Sequence, residues 1–308
     1  MGMTNSPSAS GATGPYLRRI RLTLGPLEEW RGQSSGQSSG RTLQFESDGT
    51  MDTLRVSGSF HKTIMGEPSP STISVYNLAR DTRDAIRAGM TKVTVLAGWR
   101  NTQMHVVFQG SVHSALSERN GAAIVTKITA APGHGSLVRG VSSRTFFRGM
   151  SVRQAVKLLA GDLPGVLVID SGIEGIPGAL RGGSWTCAGK TRDALNQLAK
   201  EYGFSWHIDN GLFRALGNKA LFGGVTDLSG NGGGLISVAP ALNGPMQEGS
   251  GVKIKALYVP GITAGCGVRV NSAVSPGYNG VYRVHTVGID LDSHGDAWTM
   301  DIDSETTR

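Results

Sequence analysis

Apolar and polar residues alternate along most of this chain, and this period of two predicts β-strands with one buried face. Val106, Phe108 and Val112 illustrate the pattern, since each is separated from the next by one or more polar or outward positions. The phase changes between Val284 and Val287, which predicts a β-bulge there. Similar alternation predicts strands around 20–24, 43–45, 54–60, 73–75, 93–97, 124–128, 252–256, 268–270 and 298–302.

A second pattern, apolar residues at helical spacing, predicts helices at 78–86, 152–159 and 194–202. Gly89 and Gly203 stand where the first and third of these helices should end. Ser151 and Gln154 have the spacing of a capping box, and Thr191 is the predicted N-cap of the third helix. The chain therefore predicts few helices among many strands.

The order of these patterns predicts a mainly β protein with an α+β insert. About seven strands surround the first helix, as in a closed or sandwich-like β domain. The insert contains the other two helices and a hairpin with an Asn210–Gly211 turn, which is a strong hairpin signal. The predicted divisions are a disordered N-terminus at 1–14, a first β domain at 15–135, an α+β insert at 136–217, a Gly-rich linker at 218–234 and a second β domain at 235–308.

Composition supports short strands and turns, because 45 of the 308 residues are glycine and only 17% are charged. The formal net charge of +7 permits a polyanionic partner. Lys and Arg are scattered, however, with neither a basic helix nor an aromatic-interleaved basic patch. The favoured interpretation is a basic surface that faces solvent or an acidic protein partner.

Two cysteines, Cys187 and Cys266, are far apart in sequence and predict reduced, buried thiols. The polar N-terminus has no secretory signal, and no apolar run approaches the length of a membrane span. We therefore expect synthesis in a cytoplasm and no membrane partner.

Candidate chemistry is weak at each position that suggests it. Between Gly183 and Gly189 lie five residues, whereas a phosphate-binding loop needs four. The segment 290–301 imitates a calcium loop, but its fifth position is His294, a poor calcium ligand. Glu28, Glu29 and Glu118 do not form the paired carboxylates of a glycosidase. The sequence therefore predicts no catalytic, cofactor-binding or metal-binding residue, and no enzyme.

A resemblance to a known family rests on the segment that runs from Ile73 to Trp99. Its order of strand, Tyr76-Asn77-Leu78, short helix, Gly89, alternating strand and Gly98-Trp99 resembles the first tube-like domain of baseplate hub proteins of contractile-tailed bacteriophages. These hubs are related to type VI secretion spike hub domains. Weaker similarities around Trp206, Tyr282 and Trp298 extend the resemblance over most of the chain, whereas 129–133 departs from the expected polar turn. The structural motif carried over comprises Tyr76, Asn77, Leu78, Gly89, Gly98, Trp99, Trp206, Tyr282 and Trp298.

The resemblance implies two tail-tube-like β-barrel or sandwich domains around a small α+β region. It implies a structural hub, a homotrimeric ring that joins the sixfold tail tube to the threefold central spike and leaves a channel for DNA ejection. The partners that the resemblance implies are the tail tube and central spike proteins, with baseplate wedge and tape measure proteins as further partners. It also implies that DNA is contacted only transiently and non-specifically. The expected location is the tail baseplate of the virion. A second interpretation is a glycan- or protein-binding module of a tail-associated cell-wall-degrading protein, and a third is an enzyme.

Overall fold

The computed structural model describes residues 18–25, 42–67, 69–99, 102–170, 172–176, 178–181, 183–218, 220–230, 232–241 and 251–307. The N-terminus predicted to be disordered, 1–14, lies outside the described residues.

These residues contain eighteen strands and four α-helices. The strands are β1 Arg18–Gly25, β2 Leu43–Ser47, β3 Val56–Thr63, β4 Ser71–Tyr76, β5 Lys92–Trp99, β6 His105–Asn120, β7 Ala123–Ala131, β8 Val141–Phe146, β9 Leu167–Val168, β10 Trp185–Lys190, β11 Phe204–Asp209, β12 Leu212–Gly217, β13 Val225–Ser229, β14 Leu235–Pro240, β15 Gly251–Leu257, β16 Gly267–Asn271, β17 Gly280–Asp292 and β18 Trp298–Thr306. The helices are α1 Arg80–Gly89, α2 His134–Arg139, α3 Val152–Gly161 and α4 Thr191–Tyr202. The predicted fold class, mainly β with an α+β insert, is confirmed.

Thirteen strands form one open sheet that includes strands from both ends of the chain. Its order is β14-β15-β18-β17-β3-β4-β7-β6-β5-β1-β2, with β16 also paired to β17 and β13 paired to β16. The long strand β17 joins the two halves, because its first part pairs with β16 and its second part pairs with β3. The apolar faces of both halves share a single hydrophobic core.

At most strand positions the alternating apolar residues are buried, as predicted. Ile73 and Val75 on β4 are fully buried, as are the corresponding apolar residues of β1, β15 and β18. The prediction was wrong at Val106, which is 45% exposed, while Val107 is only 2% exposed. A β-bulge at Val107 explains the difference. In the pairing of β5 with β6, Phe108 lies opposite Val95 and Val106 lies opposite Leu96, so Val107 has no opposite residue. The residues of β6 before the bulge therefore face the other way from the alternation that Phe108 begins.

The two halves of the large sheet repeat the same strand order. In the first half the order is β3-β4-β7-β6-β5-β1, and in the second it is β14-β15-β18-β17-β16-β13. Neighbouring strands are antiparallel throughout, except that β13 runs parallel to β16. Each half also has a bulge in its longest strand, at His113 in β6 and at His285 in β17. These bulges lie equally far from the strand ends, Asn120 and Asp292, so the halves repeat in register as well as in order.

The segment 218–234 was predicted to be a Gly-rich linker. This prediction was wrong, because the segment contains strand β13. This strand pairs parallel to β16 over five residues, and its Leu228 is fully buried. Glycines follow the strand closely and obscured it in the sequence, since one buried apolar residue produces little periodicity.

The insert has its own hydrophobic core, formed where α3 and α4 pack beside the hairpin β11–β12. The Ser151 hydroxyl accepts a hydrogen bond from the Gln154 N–H at 3.2 Å, which confirms that cap. Gly203 ends α4 with a left-handed φ of 66°, as predicted. Thr191, however, is the first helical residue and Lys190 is the N-cap, so the predicted cap was wrong. The buried Thr191 hydroxyl instead lies 2.8 Å from the Ser142 hydroxyl of β8.

Candidate functional site

The first part of the predicted structural motif shapes the turn after β4. Asn77 adopts a left-handed backbone conformation with φ of 55°. Its N–H donates to the Ile124 carbonyl at 2.7 Å, and its Oδ1 accepts from the Ile124 N–H at 2.9 Å. Leu78 is buried in the core, and the Arg55 guanidinium lies 4.8 Å from the centre of the Tyr76 ring. This arrangement fixes the chain between β4 and α1, which ends at Gly89.

The second part of the motif is a contact between the two halves of the large sheet. The ring centres of Trp99, at the end of β5, and Trp298, at the start of β18, are 5.7 Å apart. The Arg18 guanidinium lies 5.5 Å from the Trp298 ring. Such contacts between strands that are distant in the sheet order require the sheet to curl over its own core. Tyr282 is buried in the second half, and its hydroxyl donates to the Tyr278 carbonyl at 2.9 Å.

Trp206 belongs to the insert core and lies apart from the tryptophan pair. Its ring is 1% exposed and stacks on Phe213, with the ring centres 5.7 Å apart. Its indole N–H donates to Asn196 Oδ1 at 3.0 Å. The predicted motif residues thus lie in three places that serve folding, and the structure does not gather them into one site.

The turn between β17 and β18, which we call the clasp (residues 292–297), holds the second half against the first. Arg55 Nη2 lies 2.6 Å from Asp292 Oδ2, and the Val56 N–H donates to the Ser293 hydroxyl at 3.0 Å. His294 Nε2 lies 3.1 Å from the Thr50 carbonyl, to which it can only donate. The segment that imitates a calcium loop is therefore a contact between the two halves.

Asp292 has its carboxylate oxygens occupied within the clasp. Oδ1 accepts the N–H groups of His294 at 3.0 Å and Gly295 at 2.9 Å. Burial by itself would raise the pKa of Asp292, but the hydrogen bonds from Arg55 and these two N–H groups lower it below its usual value. A guanidinium already fills the position that a cation would need.

A buried ion cluster lies where the insert meets both halves of the sheet, and we call it the junction cluster (Lys62, His207, Asp209, Arg214 and Thr263). Lys62 Nζ lies 2.9 Å from Asp209 Oδ1, and the Thr263 hydroxyl donates to Asp209 Oδ2 at 2.9 Å. Arg214 Nη1 lies 3.5 Å from the same oxygen. Lys62 comes from β3, Asp209 and Arg214 come from the insert hairpin, and Thr263 comes from the loop between β15 and β16. One carboxylate thereby connects the three parts of the chain.

The electrostatics of the junction cluster follow from its burial. Burial alone would raise the pKa of Asp209, but Lys62 and Arg214 outweigh it and bring the pKa to about 2. Burial lowers the pKa of His207 to about 4, so this imidazole is neutral at pH 7. Arg214 also packs on the Phe222 ring, 3.9 Å from its centre. The cluster therefore holds one carboxylate between two cations, which is an arrangement for structure.

Sequence patterns did not identify the junction cluster. Asp209 directly precedes the Asn210–Gly211 turn, where an aspartate is ordinarily a turn residue. Lys62 lies on the same buried phase of β3 as Val56 and Phe60, but its partner Asp209 follows it by more than a hundred residues, so the pair could not be found from local spacing. Two signals were present in the sequence. Lys62 follows the apolar phase of β3, and His207 and Asp209 occupy alternate positions beside the apolar residues Trp206 and Ile208.

The described residues were compared with what a small-molecule pocket or a metal site requires. A cavity of about 110 Å³ lies beside the junction cluster, lined in part by Val107 and Tyr258, and is smaller than the ~300–1,000 Å³ of ordinary ligand pockets. Among the described residues no group of three His, Cys, Asp or Glu side chains could hold a metal ion. The segment that imitates a phosphate-binding loop is strand β10, paired along its length with β8. Cys187 and Cys266 are free thiols, and only Cys266 is buried.

The fold has clear relatives among solved structures of phage tail proteins. A 43 kDa tail protein of prophage MuSo2 from Shewanella oneidensis superposes with a TM-score of 0.58 at 10% identity, covering 94% of this chain and 98% of that one. A tail protein from Neisseria meningitidis MC58 also gives 0.58 at 10% identity, covering 94% and 97%. The Escherichia coli c3393 protein, a component of the type VI secretion system, gives 0.54 at 8% identity, covering 82% and 73%.

These likenesses define the fold as that of phage tail and type VI secretion spike proteins. A family model narrows the assignment, because the model described as baseplate hub gp41 matches residues 42–304. This chain belongs to the baseplate hub gp41 family, and its role is that of a structural component of a phage tail baseplate. A search of curated protein sequences found no match. Among the residues described, no helix is long and apolar enough to cross a membrane.

Proposed function

We propose that three copies of this chain close a ring that joins the sixfold tail tube to the threefold central spike and leaves a channel for DNA ejection. The observation that carries this proposal is the repeated strand order in the two halves of the large sheet. Three copies with two similar halves each present six similar units around one axis. Such a ring has approximate sixfold symmetry toward the tube and true threefold symmetry toward the spike.

The open edges of the sheet support assembly. Strand β14 pairs only with β15, and within the described residues its other edge has no partner. Unpaired strand edges favour pairing with another chain, and closure into a ring satisfies them without leaving a free end. Ile236 on β14 is 51% exposed, which is consistent with an edge that is covered in the assembly.

The parts of the chain have distinct places in this proposal. The first β domain, predicted at 15–135, and the second, predicted at 235–308 and extended by strand β13 (Val225–Ser229), form the wall of the ring. The α+β insert, 136–217, packs against the wall through the junction cluster. The hub acts without catalysis and without a cofactor. Its partners are the tail tube and central spike proteins, with wedge and tape measure proteins as neighbours in the baseplate. The hub is assembled in the cytoplasm of the host bacterium, and DNA contacts its lumen only non-specifically.

The test is the mass of the purified protein in solution together with electron microscopy, alone and after addition of the tube and spike proteins of the same phage. The expected result is threefold rings with a central hole and six similar lobes in projection. A chain that stays monomeric even with both partners would overturn the hub ring and favour a separate binding module.

A further inference from the structure

The repeated halves meet inside the chain at a specific strand pair, β3 with the second part of β17. Ser57 lies opposite Asp292, Gly58 opposite Leu291 and Ser59 opposite Asp290. The junction uses the part of β17 after the bulge at His285, which leaves the earlier part free to pair with β16. One half therefore contributes its first edge strand, and the other contributes the end of its longest strand.

The counterparts of these two strands each have an edge that no other described strand pairs with. β14 is the counterpart of β3, and the second part of β6, from Ser114 to Asn120, is the counterpart of the end of β17. That part of β6 pairs with β7 on one side, whereas β5 pairs only with the earlier part, up to Ser111. On the other side of Ser114–Asn120 the described residues provide no strand. Within the described residues, the two strand edges that such a junction needs are therefore both present and both unpaired.

Each of these two edges also carries an exposed apolar side chain, as expected of a surface that another chain covers. Leu116 on β6 is 61% exposed and Ile236 on β14 is 51% exposed. Strands β6 and β14 are not paired with each other within the chain. A second copy of the chain can supply the missing partner to each edge.

Resting on the ring proposed above, we infer that β14 of one copy pairs antiparallel with the second part of β6 in the next copy, repeating the β3–β17 junction between chains. Transfer of the internal register places Ser237 opposite Asn120, Val238 opposite Arg119 and Ala239 opposite Glu118. Two alignments define this transferred register. The bulges at His285 and His113 align β17 with β6. The pairings Ser57–Ser74 and Ser237–Lys255 align β3 with β14. The contact is head-to-tail, so in the proposed ring of three copies every junction between chains is of one kind.

Site-specific disulfide formation tests this register. Directly opposed residues in an antiparallel pair have Cα atoms roughly 4.5–5.5 Å apart, which is within the reach of a disulfide. The variant Arg119→Cys with Val238→Cys, in a Cys187→Ser background, should shift on mild oxidation from the monomer to covalent trimers, reversibly with reductant. A mixture of the two single variants, Arg119→Cys and Val238→Cys, should yield dimers and no trimers, because each chain then carries one engineered cysteine and can form only one link.

The matched control places the cysteine on the other end of the sheet. Gln44 lies exposed on β2, the edge strand opposite to β14, so Gln44→Cys with Val238→Cys should remain uncross-linked. Cross-linking of this control in place of the Arg119→Cys pair would overturn the inferred junction. The mass of each unoxidised variant separates the two proposals. Trimers that fail to cross-link at 119 and 238 overturn the register alone, whereas monomers in the presence of the tube and spike proteins overturn the ring as well.

Discussion

Lys62 Nζ on β3 lies 2.9 Å from Oδ1 of Asp209 on β11, and both side chains are more than nine-tenths buried. The pair joins the large sheet to the insert, and both charged groups are buried there. Two unpaired ions in such a place would be strongly unfavourable, so their mutual contact and the added Thr263 hydrogen bond stabilise the relative position of the two parts.

Replacement of Asp209 by asparagine should destabilise the protein strongly. The substitution preserves shape but leaves the cations of Lys62 and Arg214 buried without a counter-charge, and breaking one partner of a buried ion pair costs about 3–5 kcal/mol. Urea unfolding followed by circular dichroism measures the change. The control is Asp227→Asn, because the ion pair of Asp227 with Arg269 is solvent-exposed. Its free energy of unfolding should equal that of the unsubstituted protein within the error of the measurement. Equal effects of the two substitutions would contradict the role of the junction cluster.

Stability should fall between pH 7 and pH 4 because of His207. Its folded-state pKa of about 4 is below the ordinary value of 6.5, so the unfolded chain takes up a proton in this range while the folded chain does not. The stabilisation is complete above pH 6.5 and declines as the pH falls to about 4, by about 3 kcal/mol in total. The groups that act on the imidazole are Asp209, Arg214, Lys62 and Arg283.

The variant His207→Phe tests this assignment. Both ring nitrogens of His207 lack a hydrogen-bond partner among the described residues, so phenylalanine removes the titration without breaking a hydrogen bond. Its Tm should change less than that of the unsubstituted protein between pH 7 and pH 4.5. His105→Asn, at an exposed position on β6, should leave the pH dependence as it was. An unchanged slope in His207→Phe would assign the acid sensitivity to another group.

Calcium should not stabilise the clasp. Asp292 is already occupied by the Arg55 guanidinium and two backbone N–H groups, so an added cation has no free carboxylate there. Millimolar calcium should therefore leave Tm unchanged, whereas Arg55→Ala should lower Tm and increase hydrogen exchange in residues 292–297. A calcium-dependent rise in Tm that is lost in Asp292→Asn would show that the segment binds the ion after all.

Two glycine substitutions should have opposite effects on stability. A Cβ on Gly98 of β5 would lie 2.9 Å from the Gln103 carbonyl oxygen and 3.1 Å from the Met104 Cα, both of which are backbone atoms. Gly98→Ala should therefore destabilise by roughly 1–3 kcal/mol. Gly161→Ala, at the end of α3 with open space around it, should stabilise by roughly 0.5–1 kcal/mol. Thermal unfolding compares the two variants directly. An unchanged Tm in Gly98→Ala would contradict the close approach of the Gln103 carbonyl to Gly98.

Strand positions and burial were predictable where periodicity is unbroken. Ile73 and Val75 were assigned to the core by alternation alone, and the bulge near His285 followed from the change of phase after Val284. The bulge before Phe108 was missed, because Val106, Val107 and Phe108 are all apolar and either phase fits them. A run of apolar residues does not say which of its members points inward.

The candidate site was not predictable in the same way. The structural motif was chosen by resemblance, and the structure distributes it among the turn after β4, the tryptophan pair and the insert core. The junction cluster and the clasp depend on contacts between residues more than two hundred positions apart in the case of Arg55 and Asp292. Separation of this size leaves no trace in local spacing.

The sequence by itself determined the class of the protein, most of its strands, the capping of α3 and the turn at Asn210–Gly211, because each depends on neighbours within a few residues. Only the tertiary structure decided that β17 joins the two halves into one sheet, that Asp209 becomes the counter-ion of Lys62, and which strand edges stay open. The physical reason is that strand pairing and ion pairing are made by backbone and charged groups that every segment carries. Their partners are selected by the packing of the whole chain around its core.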